Sequence, residues 1–217
     1  MRSAVRSIVC AFQEKFEGAL PHLYADRKNL VTTAIGRLVD LSEVSPGAPY
    51  PWVPALKMPW KRPDATLASP AEIIAEWQLV KSRQELTVLG GRAYRAITRL
   101  RLTDADVEAI TIDTAIEFES HLQRRFVEWD TWPADAQLGT LSIAWAEGPL
   151  FFTRFPKFSA AADRLDFGIC ADESKIPGGY DERNIASAVC FNNAAAVIKA
   201  GGDFEMLHWP TDLASVD

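Results

Sequence analysis

No apolar stretch in this 217-residue chain approaches the roughly 18 residues that a membrane-spanning helix needs, so membrane insertion is not expected. The opening MRSAVRSIVCAFQEKFEG holds only the short uncharged run Ser7 to Gln13 between Arg6 and Glu14, which does not make a signal peptide. Made in the cytoplasm without one, the protein is expected to reach any outside target by other means. Cysteine is scarce: Cys10, Cys170 and Cys190 lack metal-ligand spacing, and their odd number argues against a disulfide framework. They are expected to be reduced, with a Cys170–Cys190 bridge left open for an oxidising compartment. His22, His121 and His208 are scattered, so neither a metal nor another cofactor is expected. No basic run is dense enough for nucleic acid, and no zinc-finger or RNA-binding motif is present.

The chain does have core-forming material, at 48% hydrophobic residues, enough for one large domain or two closely packed lobes. Its net charge of −6 is uneven. Residues 1–101 carry 15 Lys+Arg against 9 Asp+Glu, and residues 102–217 carry 8 against 20. The first half can therefore face an anionic partner such as nucleic acid or cell-wall polymer, or can simply present solvated charge.

Val5, Ile8, Val9, Phe12 and Phe16 form one helical stripe over residues 3–16, ended by Gly18 and Pro21. From His22 to Leu38 the pattern becomes β-prone, and a hairpin is expected, with Asp26–Asn29 as the turn and Leu30–Ile35 as the returning strand. Six prolines in residues 41–68 forbid a helix there, and an ordered loop held by Trp52 and Trp60 is expected, with a ligand-contacting flap as the other reading. Ser69-Pro70-Ala71-Glu72 is a capping box opening a helix over about 70–86. Further helices are expected over about 103–129, 134–146, 157–172 and 181–200. The fold class is α+β, mainly α: a single domain over 1–217, with an N-terminal lobe of about 1–68 and a helical lobe of about 69–217.

The chemistry-bearing stretch is FEGALPHLYADRKNLVTTAIGRLV, residues 16–39. Glu17 falls where the first helix ends and Asp26 where the hairpin turns, nine positions later. Two carboxyls on separate walls of a cleft suit glycoside hydrolysis, in which one protonates the leaving oxygen and the other handles water or the oxocarbenium-like centre. Thr32, six residues after Asp26, adds a hydroxyl able to hold a water.

FEG, Tyr24-Ala25-Asp26, Leu30-Val31-Thr32 and Ile35-Gly36 resemble the catalytic motif of phage-type lysozymes, and the stretch is most similar to muramidase domains of phage tails and type VI secretion effectors. The resemblance implies a lysozyme-like fold and an inverting hydrolase of the N-acetylmuramic acid to N-acetylglucosamine linkage. By it, Glu17 is the general acid, Asp26 assists the attacking water and Thr32 positions that water. Leu38 matches a leucine bordering the sugar groove, or is plain core. LGTLSIAWAEG, residues 138–148, is similar to the family's central helix, with Trp145 at the groove. Asp181-Glu182-Arg183-Asn184, with Phe191, is similar to a segment whose arginine contacts the catalytic glutamate, an arrangement that lowers the acid's pKa unless burial offsets it.

Three positions depart from the family: Asn29 for a turn glycine, Ala34 for the first glycine of a Gly-Ile-Gly step, and Arg37 for His or Asn. The region 41–101 has no counterpart in the short phage enzymes. Peptidoglycan strands are the expected partner, reached in the periplasm or wall through a secretion apparatus, phage tail or holin, with an immunity or carrier protein as a further partner. The alternatives are a non-catalytic wall-binding module, a carrier-bound delivery component, and a lytic transglycosylase, against which Asp26 with Thr32 argues.

Overall fold

The computed structural model describes residues 1–42, 45–178 and 180–213. It is mainly helical, with one small three-stranded antiparallel sheet. The chain divides into two compact units, one of Met1–Phe16 with Ile112–Asp217 and the other of Glu17–Thr111. This differs from lobes of about 1–68 and 69–217: the first helix goes with the later helices, and residues 69–111 go with the sheet.

The sheet unit is built on β1 (Leu20–Ala25), β2 (Val31–Ala34) and β3 (Arg37–Leu38), in that spatial order. The expected hairpin is thus extended by a short third strand. Its brevity hid it, since two residues carry no alternation to read. All four residues of β2 are buried, as befits a central strand. Asn29 closes the β1–β2 turn with φ +60°, its N–H donating to the carbonyl of Asp26 at 2.9 Å.

The proline-rich segment is ordered by its tryptophans. Trp60 is buried and donates its indole N–H to the Ala55 carbonyl at 2.9 Å, while Trp52 packs edge-on against Trp77 at 5.9 Å. The helix α2 (Pro70–Ser82) opens with the capping box, Ser69 accepting from the Glu72 N–H and Glu72 accepting from the Ser69 N–H. It stops at Ser82, short of residue 86, and two 3-10 segments, Gln84–Leu89 and Gly91–Ala96, carry the chain onward.

The other unit comprises α1 (Ser3–Glu17) through Phe16, the end of α3 (Asp104–Arg125), α4 (Ala134–Glu147), α5 (Pro156–Ala162), α6 (Phe167–Glu173) and α7 (Asp181–Ala200). Helix α4 is buried on every side from Ala134 to Trp145, the mark of a central helix. It packs on α7 at Gly139, where a Cβ would stand 3.0 Å from the Phe191 ring. The single helix expected over 157–172 is two: Leu165 takes φ +58°, and Asp166 starts the next helix by accepting from the Ile169 N–H. Phe126, Trp129, Trp132, Phe158, Phe167 and Phe191 fill the core. Cys10, Cys170 and Cys190 are in no disulfide, and burial raises the pKa of the Cys170 thiol to about 12. Among the described residues no helix is long and apolar enough to cross a membrane.

Candidate active site

Helix α1 has its last residue at Glu17, and Gly18 follows at φ +70°, the left-handed conformation that ends helices and that glycine takes without strain. Glu17 is exposed. β1 then runs to Ala25, and Asp26 begins the turn.

Asp26 is partly exposed, and one of its carboxylate oxygens, Oδ1, accepts from the backbone N–H groups of Lys28 and Leu30, both at 2.8 Å. These bonds fix the carboxylate on the turn. Its other oxygen, Oδ2, takes no hydrogen bond from the described residues. Thr32 is 6% exposed, and its hydroxyl donates to the Leu30 carbonyl at 3.2 Å. With the proton so used, its lone pairs remain as acceptors.

The register puts Tyr24 opposite Thr32, and Thr32 opposite Leu38, so these three side chains form one row on one face of the sheet. Tyr24 is the residue that reading by motif alone overlooks. Its phenol is pushed above its ordinary pKa by burial first, and then by the negative charges of Glu17 and Asp26. Both carboxylates therefore act on one phenol, whose neighbour across the sheet is the Thr32 hydroxyl. Strand alternation is the signal that points to Tyr24, since it stands two residues before Asp26 in a strand.

Arg37 pairs with Thr33, one step out of phase with the Thr32–Leu38 pair. Its side chain thus belongs to the opposite face of the sheet from the Tyr24–Thr32–Leu38 row. Asn29 and Ala34 both hold positive φ, at +60° and +52°, so the backbone keeps a glycine-like course at both positions without glycine.

The turn is anchored from behind. Lys81 on α2 donates to the Asn29 carbonyl at 2.5 Å and pairs with the buried Asp40 at 2.8 Å. Asp40 in turn accepts from the Val31 N–H at 3.1 Å and from Ser42. Burial pushes the Asp40 carboxyl up, but Lys81, Ser42 and Val31 together hold it below the usual range.

Trp145 and Arg183 belong to the helical unit. Trp145 is 9% exposed and packs edge-on against Phe118, with ring centroids 5.4 Å apart. Arg183 is 2% exposed; its Nη1 donates to Gln13 Oε1 and to the Ser142 carbonyl, both at 2.9 Å, and its guanidinium lies 4.8 Å from the Phe16 ring centre. These contacts tie it to the last turns of α1 and to α4.

Two carboxylates on separate elements, a phenol sensing both and a hydroxyl across the sheet can move protons to and from a bound ether or acetal oxygen and a water. No three His, Cys, Asp or Glu side chains gather as metal ligands among the described residues. Compared with known proteins, the chain matches no family model, no curated protein and no solved structure.

Proposed function

We propose that the chain is a muramidase that cleaves the β-1,4 linkage between N-acetylmuramic acid and N-acetylglucosamine in peptidoglycan. Glu17 protonates the leaving oxygen, Asp26 draws a proton from water, and Thr32 accepts a hydrogen bond from that water. The observation that supports this reading is that Glu17 ends α1 and Asp26 opens the turn at the far end of β1, whose Tyr24 stands opposite Thr32. Inversion at the anomeric carbon goes with a water between the carboxyls. The likeness of residues 16–39 to phage-type lysozymes supports the same assignment, together with a lysozyme-like fold and delivery to the wall by a secretion apparatus, tail or holin.

Purified peptidoglycan in a turbidity assay tests it: wild type clears the suspension, and Glu17→Gln and Asp26→Asn, folded as wild type, do not. A non-catalytic wall-binding module is the second reading, favoured by the exposure of Glu17, since a general acid ordinarily relies on burial to stay protonated. Sedimentation with sacculi without clearing would select it.

A further inference from the structure

Residues 92–101, RAYRAITRLR, hold four arginines and no acid. They belong to the region that has no counterpart in the short phage enzymes. Arg92, Arg95 and Arg99 are exposed, and none makes an ion pair among the described residues. Of the acids flanking the segment, Asp104 is exposed in the first turn of α3, and Asp106 accepts from Thr103 and pairs with Lys61 at 3.8 Å. Glu85 pairs with Arg83, and the buried Glu76 spends its carboxylate on the N–H groups of Arg99 and Leu100. Arg101 differs from the other three, because its guanidinium folds back onto the carbonyls of Arg95, Thr98 and Leu100. That brace rigidifies the segment and leaves the other three arginines facing water.

The same segment lies along β1, the strand that joins the two candidate acids. Gly91 comes so close that a Cβ there would stand 2.6 Å from Leu20 Cδ1 and 2.8 Å from Tyr24 Cδ2. Its carbonyl accepts from His22 Nε2 at 3.1 Å, and the Leu102 N–H donates to the Pro21 carbonyl at 2.9 Å. The buried Tyr94 phenol donates to the Arg83 carbonyl and also feels the charge of Asp26. The arginines are thus carried on a braced wall beside the candidate site. Guanidinium groups suit planar anions, which they grip in pairs of hydrogen bonds.

We infer that Arg92, Arg95 and Arg99 form a docking surface for the carboxylate-bearing peptide side chains of the glycan polymer on which Glu17 and Asp26 act. This rests on the muramidase reading and deepens it: the segment selects an anionic glycopeptide over a neutral polysaccharide. It also gives a chain of net charge −6 a local means of approaching a negatively charged wall.

Co-sedimentation of the full chain, in a Glu17→Gln background that separates binding from cleavage, tests the inference on four targets. These are native sacculi, sacculi with carboxyls amidated by carbodiimide coupling, neutral chitin, and vesicles rich in phosphatidylglycerol. Native sacculi are expected to bind best. The triple variant Arg92→Glu, Arg95→Glu, Arg99→Glu is expected to bind them about tenfold more weakly at low salt, with the gap narrowing as salt is raised. Amidation should weaken the unreversed chain similarly, and a triple Arg→Gln variant should fall between. Circular dichroism checks that each variant folds. Unchanged binding on reversal or on amidation overturns the inference, as does arginine-dependent binding to vesicles that exceeds binding to sacculi. The two layers fail separately. Arginine-dependent binding without muropeptide release by the Glu17-containing chain removes cleavage and keeps docking, whereas cleavage indifferent to the arginines removes docking alone.

Discussion

Lys81 reaches from α2 to the carboxylate of Asp40 at 2.8 Å, and with the same ammonium group holds the Asn29 carbonyl at the turn that carries Asp26. Asp40 has a fully buried side chain, so removing its partner strands a charge inside the protein. Lys81→Met is therefore expected to cost about 3 kcal/mol in urea unfolding. It should also loosen the turn, seen as faster hydrogen exchange at the Lys28 and Leu30 amides. A loss under about 0.5 kcal/mol would place the pair with ordinary surface bridges.

Acid should weaken this fold in two stages. Burial holds the His22 imidazole below its ordinary pKa despite its bond to Gly91. The unfolded chain therefore takes up that proton first, and stability falls as pH drops below about 6.5 toward the folded value. Asp40 is also depressed when folded, so its contribution is full above about pH 4 and is lost as pH falls further, through the folded value. Urea midpoints measured from pH 8 to pH 3 should show both declines, and His22→Gln should remove the first.

Gly91→Ala is expected to disturb the candidate site without touching either acid. The added methyl meets Leu20 and Tyr24 well inside contact distance and must displace β1 or the segment that holds Gly91. A destabilisation of about 1–3 kcal/mol is expected, with a fall in any lytic rate larger than that of an exposed control such as Val88→Ala.

Ala34→Gly should change stability by less than about 1 kcal/mol. Relief of the positive φ offsets the lost methyl burial and the added freedom of the unfolded chain. Ala34→Val, β-branched at the same φ, should lose more than about 2 kcal/mol, and equal effects of the two substitutions would contradict the strained geometry.

The helices were legible in the sequence wherever a stripe and a cap coincided, as at Val5–Phe16 and at Ser69–Glu72. Where the chain broke by conformation rather than composition, they were not: Leu165 at φ +58° carries no glycine or proline to announce the split between α5 and α6. The helix end at Glu17, the turn at Asp26 and the returning strand that carries Thr32 could be read from residue type and spacing. The place of Tyr24 between them required the pairing register. Arg37 shows the same limit, because a single step in register decides which face it occupies, and only pairing with Thr33 reveals it. The grouping of 69–111 with the sheet was hidden because contacts such as Gly91 on Tyr24 join residues far apart in sequence.

The central claim is tested most directly by mass spectrometry of the products released from purified peptidoglycan by wild type, Glu17→Gln and Asp26→Asn. Wild type is expected to release muropeptides with reducing N-acetylmuramic acid ends, with release lowered at least about a hundredfold in each folded variant. A folded wild type that releases no muropeptides, or one that yields anhydro-muramic ends, would contradict the claim.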